Sequence, residues 1–114
     1  MAKTIIKSYG VGKLEIINAE NSRSFRDLKG NTVEVVGAAL ITDVNKAGEE
    51  VDFAYLFAKD GSVYGGNSAT IYRAIEGLID LMEEDTGKKY TATVDGRTAT
   101  SGREFLSLRV GELV

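Results

Sequence analysis

Residues 68–85, SATIYRAIEGLIDLMEED, carry a helical repeat in a chain otherwise patterned for strands. Ile71, Ala74, Ile75, Leu78, Leu81 and Met82 recur at the three- and four-residue spacing of a buried stripe, with Arg73, Glu76, Asp80, Glu83 and Glu84 on the other side. Ser68 or Thr70 is placed to cap the first turn, and Gly87 to end the last one. One amphipathic helix with β-like runs before and after it is the expectation from which the remaining elements are ordered.

Upstream, Lys3–Tyr9 and Lys13–Ile17 read as an N-terminal hairpin turned at Gly10-Val11-Gly12, and Asn18–Lys29 as a polar connection with one short helical turn. Thr32–Asp43 is a long apolar strand whose Gly37 suits either a sharp bend between two faces of a barrel or a simple bulge. Val51–Ala58, the turn signal Asp60-Gly61 and residues 62–65 complete a three-strand unit. After the helix, Lys89–Asp95 and Arg103–Val110 form a last strand pair joined by the polar loop 96–102. Three strands, a helix and a closing hairpin is the element order of an OB-fold, a scaffold that commonly holds single-stranded nucleic acid. The expected fold is therefore mainly β: a five-stranded OB-fold-like barrel with one α-helix between the third and fourth strands. It forms a single domain over residues 1–114, with 1–29 as hairpin and connection and 30–110 as the barrel.

With 114 residues the chain suits one core. It has no histidine and no cysteine, which excludes the usual zinc sites, thiol nucleophiles and serine–histidine triads. No enzyme, no metal and no cofactor is the resulting expectation; only a lysine or carboxylate mechanism stays open, and nothing in the sequence pairs such groups. There is no run of membrane-spanning length and no apolar stretch fit for a signal peptide, so a cytoplasmic location is expected.

The formal net charge of −3 argues at first against a nucleic-acid partner. Its distribution does not: residues 68–86 hold five acids against Arg73, leaving thirteen basic and twelve acidic residues elsewhere. In the last strand, alternation puts Leu106, Leu108 and Val110 on a core face and Arg103, Phe105, Ser107 and Arg109 on the other. Arginines pair with phosphates and a phenyl ring stacks with a base, although the same face also suits an outer surface packed under another hairpin. Lys3, Ile5, Lys7 and Tyr9, with Lys13 past the turn, repeat the pattern; edge-strand charge that blocks aggregation is the other reading. Arg97 lies in the loop between the last two strands, a place OB-folds use for ligands.

Val51, Phe53, Tyr55 and Phe57 line one face of their strand, with Tyr64 on the next. The aromatic face is expected inside, with Tyr55 and Tyr64 able to keep their hydroxyls at a wet rim. Asp80, Glu83, Glu84 and Asp85 wind around a solvated helix face and are not a metal set. Gly65-Gly66-Asn67-Ser68 precedes a helix and suits an anion there, but it lacks the Lys-Ser/Thr ending of a nucleotide-hydrolysing loop.

GNTVEVVGAALITDVN (30–45), DFAYLFAKDGSVYGGNSATIYRAIEGLIDLM (52–82) and SGREFLSLRV (101–110) together resemble the small single-stranded-DNA-binding proteins of tailed bacteriophages. The resemblance implies an OB-fold that coats exposed strands during replication or recombination in the host cytoplasm, without catalysis. It implies Tyr9, Tyr55, Tyr64 and Phe105 for base stacking and Lys7, Lys13, Arg97, Arg103 and Arg109 for phosphate contacts. Single-stranded DNA is the expected partner, and replication or recombination proteins are candidates for others. A homo-oligomer or cooperative coating would help one small barrel hold a strand. Gly111-Glu112-Leu113-Val114 is not the long acidic tail through which many bacterial relatives recruit partners, which speaks against tail-mediated recruitment. The competing expectation is a protein-interaction module or inhibitor of a host protein acting through the acidic helix or a strand edge.

Overall fold

The computed structural model describes residues 4–19 and 22–113. In chain order these form β1 (Thr4–Tyr9), α1 (Lys13–Asn18), β2 (Arg23–Ser24), a 3₁₀ helix (Phe25–Leu28), β3 (Thr32–Val44), β4 (Glu50–Ala58), β5 (Val63–Gly66), α2 (Ala69–Glu84), β6 (Lys89–Thr98) and β7 (Glu104–Leu113). The architecture is mainly β: one sheet, curled into a half-barrel, with α2 as its main helix. The strands run in the order β2-β5-β4-β3-β6-β7, with β1 paired to β3.

β3 organises this sheet. β4 pairs along one of its edges from Val35 to Val44, while the other edge is shared end to end, Thr32–Val35 by β6 and Ala38–Thr42 by β1. The change of neighbour falls at Val36–Gly37, where the β4 register also shifts by a bulge, the irregularity that bends a strand and tightens its twist. The chain leaving β1 crosses there. Gly10 has a φ of +74°, and a Cβ on it would overlap the Val36 carbonyl oxygen; a Cβ on Gly37 would lie 2.6 Å from Val11 Cγ1 and 2.9 Å from the Tyr9 carbonyl oxygen. Both glycines permit backbone to pass against backbone.

α2 packs across the inner face through Ile71, Ile75, Leu78, Ile79 and Met82, against Ala38, Leu40, Ala54, Leu56, Tyr64 and the inward residues of β6 and β7. Each such apolar side chain stabilises the fold by about 2 kcal/mol as an upper estimate. Ser68 caps the helix by accepting from Ile71 N–H at 3.4 Å. Leu81 was expected in the buried stripe and is instead 42% exposed, while Ile79 is fully buried. The two lie about 80° to either side of Ile71 on a helical wheel, so the tilt of the helix on the sheet chooses between them. The helix ends at Asp85 with no left-handed residue, so Gly87 is not its cap. Lys88 bridges Asp85 at 3.1 Å and Glu112 at 3.4 Å, tying the helix end to β7.

Several expectations are corrected. The N-terminal hairpin does not form: Lys13–Asn18 is helical, because Gly12 N–H donates to the Glu15 carboxylate at 2.9 Å and Ile16 finds a buried site above the sheet, while β1 takes β3 as its partner. Among the described residues there are seven strands: β1 and β2 precede the unit β3–β5, and α2 stands between that unit and the pair β6–β7. The aromatic face of β4 is not the half-barrel interior. Tyr55 and Phe57 join Ala39 and Ile41 on the outer side, under Ile16 and Ala19, while Ala54 and Leu56 face α2. The final loop shrinks to 99–103, closed by Ala99 N–H to the Arg103 carbonyl at 2.8 Å and by Gly102 at φ +84°.

Gly10→Ala and Gly30→Ala separate crowding from backbone strain, because Gly30 has a similar φ of +80° and a Cβ there would meet nothing within 4 Å. Gly30→Ala is expected to cost about 1–2 kcal/mol and Gly10→Ala about 1–3 kcal/mol more in denaturant unfolding. Equal losses would show that the crossing is not close-packed.

Candidate nucleic-acid interface

The outer face of the sheet has two halves. Over β3, β4 and β5 it is covered by α1, whose Ile16 and Ala19 bury Tyr55 and Phe57. Over β6 and β7 nothing covers it among the described residues, and its side chains there are exposed or half-buried. Pairing of β6 with β7 sets Arg97 opposite Phe105, Asp95 opposite Ser107 and Thr93 opposite Arg109. Strand alternation points all six outward, since Val94 and Leu108 between them are buried in the core.

Phe105 is 38% exposed, a phenyl ring without a hydrophobic cover on this open face. The cations around it differ in commitment. Arg97 Nε donates to Ser107 Oγ at 3.0 Å, and Arg109 Nε donates to Asp95 Oδ2 at 3.2 Å, so both guanidinium groups are steered along the sheet with further N–H donors to spare. Among the described residues, Arg103 makes no ion pair, and neither do Arg26 and Lys29, which line hollows that reach Phe105. A groove of about 370 Å³ and a neighbouring depression of about 210 Å³ meet at Arg26, Phe105 and Leu106. Arg103 and the residues before α2 line the larger, Lys29 and Gly96 the smaller.

Of the nine residues expected at the site, the fold gathers four: Arg97, Arg103, Phe105 and Arg109. Arg97 belongs to β6 and not to a loop, because β6 continues to Thr98 opposite Glu104. Arg103 sits in the turn just before β7. Tyr55 and Tyr64 are each 6% exposed, one beneath α1 and one beneath α2, so neither ring offers a face to a base. Lys13 opens α1 and is exposed. Tyr9 packs partly buried against the main core. Lys3 lies outside the described residues, and the rest of its stripe is broken by a bulge between Ile5 and Lys7.

That bulge turns Lys7 to the α2 side, where its ammonium forms an ion pair with Asp80. The Asp80 hydrogen bond, with the charges of Asp80, Glu83 and Glu76, holds the Lys7 pKa above the ordinary lysine value. The acidic face of α2 is thus turned toward β1. Arg26 and Lys29 escaped the sequence reading because they stand in a segment with too few apolar residues to show a repeat; the available signal was Phe25 and Leu28, three residues apart, with the two cations offset by one.

A family model described as "Phage Single-stranded DNA-binding protein" matches residues 3–111, and the chain belongs to that family. It is 29% identical over 105 residues to the single-stranded DNA-binding protein of Bacillus phage phi29, covering 87% of this chain and 85% of that one. To the protein of the same name from Bacillus phage PZA it is 30% identical over 105 residues, with the same coverage. To that of Bacillus phage B103 it is 30% identical over 104 residues, 85% and 84% of the two chains. No solved structure matches.

Since the folded-state pKa of Lys7 is raised, its proton contributes stability that is fully present below the unfolded lysine value of about 10.4 and is lost as the pH rises through the folded value. In a ¹⁵N titration of the lysine ammonium groups, Lys7 is expected to deprotonate at higher pH than in Asp80→Asn. Coincident midpoints would remove the pair.

Proposed function

We propose that this chain binds single-stranded DNA, largely without regard to base sequence and without catalysis, in phage DNA replication or recombination. One observation carries the reading: an exposed phenyl ring, Phe105, stands among Arg97, Arg103 and Arg109 on the uncovered half of a sheet, in a chain of the phage single-stranded DNA-binding family. A ring and a row of guanidinium groups suit a flexible polyanion with exposed bases, because stacking tolerates any base and phosphate pairing ignores sequence.

The order of β3, β4, β5, α2, β6 and β7 supports reading the half-barrel as an open OB-fold with β1, α1 and β2 added before it. OB-folds commonly bind on the face of their second and third strands. In this reading those strands are β4 and β5, whose outer aromatic face lies under α1. Binding therefore moves to β6 and β7. The acids of α2 near Lys7 lie on the other side of the sheet, so their repulsion falls away from the strand.

Fluorescence titration with labelled oligo-dT is expected to show binding that weakens steeply with salt. Phe105→Ala should lose about 1–3 kcal/mol, roughly five- to 150-fold in Kd. Lys7→Gln, Tyr55→Phe and Tyr64→Phe should bind as the parent does. Absence of binding at low salt would end this reading.

A further inference from the structure

Among the described residues the sheet order ends at β2 and β7, so the half-barrel is left with a seam that no strand pairing closes. Among the described residues, β7 pairs along β6 alone, and β2 is two residues that pair in parallel with β5. The 3₁₀ helix Phe25–Leu28 stops this seam from inside. Phe25 and Leu28 are 3% and 1% exposed, and the backbone beyond them is stitched to β6 by Gly30 N–H donating to the Val94 carbonyl at 2.9 Å.

A 3₁₀ helix repeats every three residues, so burying Phe25 and Leu28 sends Arg26 and Lys29 outward in one row. The structure bears this geometry: both are exposed, and both line the depression that ends on Phe105. Gly96 makes room for the row, since a Cβ there would stand 2.6 Å from Lys29 Cε. At the other end of the seam, Arg26 and Arg103 face the residues leading into α2, whose first turn carries no acid. The positive end of that helix adds to the cations. Among the described residues that line the two hollows, Glu104 is the one carboxylate.

We propose that this seam is a second stretch of the DNA path: a strand stacked on Phe105 passes over the start of β7 and lays its phosphates along Arg26, Lys29 and Arg103. The inference rests on the single-stranded-DNA reading and extends it to a side of β7 that the outward stripe does not reach. An extended peptide added to the β7 edge would use backbone hydrogen bonds and have no need of the cation row, which is why a polyanion is the better occupant.

The test is a salt titration of oligo-dT binding with Arg26→Gln, Lys29→Gln and the double variant, each checked by thermal unfolding to have kept the parent's stability. Arg23→Gln is the control, an exposed arginine three residues earlier that instead shares a hollow with Asp60. Removing one cation from a phosphate should lower the slope of log K against log salt by about 0.7, so the double variant should lose about 1.4 and Arg23→Gln nothing. Parent binding with an unchanged slope in the double variant overturns the seam and leaves the function standing. Failure of the parent to bind at low salt overturns both.

Discussion

The structure depends on two backbones being able to touch. β3 serves β1 along one half of an edge and β6 along the other, and the handover is made where Gly10 crosses Val36 and Gly37. Side chains at those glycines would hold the segments apart, and β3 would lose either its bulge or one neighbour. With the crossing in place, β3 bends, the sheet curls around α2, and β6 and β7 are carried round away from β1. The direction of the chain after Gly10 has a second effect: it puts α1 over the outer face of β3 and β4.

From this follows a division of labour between surfaces. The inner face is filled by α2, half of the outer face is filled by α1, and the half on β6 and β7 is left polar with Phe105 near its hairpin end. Charge is divided along the same lines. Asp80 and its neighbours on α2 act on Lys7 of β1, whereas Arg97 and Arg109 stand across the sheet from them. An overall negative chain can thus present a cationic surface, because fields from screened, separated charges fall off within about 10 Å in ordinary salt. No helix among the described residues is long and apolar enough to cross a membrane.

The cation–aromatic face was legible where it lies within one strand. Phe105, Ser107 and Arg109 share a face by alternation alone, and the structure keeps them so; Arg97 meets them because β6 and β7 form a hairpin. The remaining expectations failed where a face had to be assigned a neighbour. Tyr55 and Tyr64 look alike in sequence as rim aromatics, yet each is sealed by a different helix. Lys7 looked like the start of a cationic stripe until a single bulge reversed its side and gave it to Asp80. Arg26 and Lys29, in a connection without repeat, gained meaning only when Phe25 and Leu28 were seen to be plugs.

By itself, then, the sequence determined the strands from β3 to β7, the helix between them, the excess of acid over base on that helix and the cation–aromatic face of β7. These follow from periods of two and 3.6 residues and from composition, which are properties of contiguous chain. The tertiary structure alone decided that Ile79 and not Leu81 is buried, that Lys13–Asn18 is a helix, that the aromatic side of β4 is closed and that cations flank an open seam. Each of those depends on which distant segment comes to cover a face, and a local repeat holds no information about its cover.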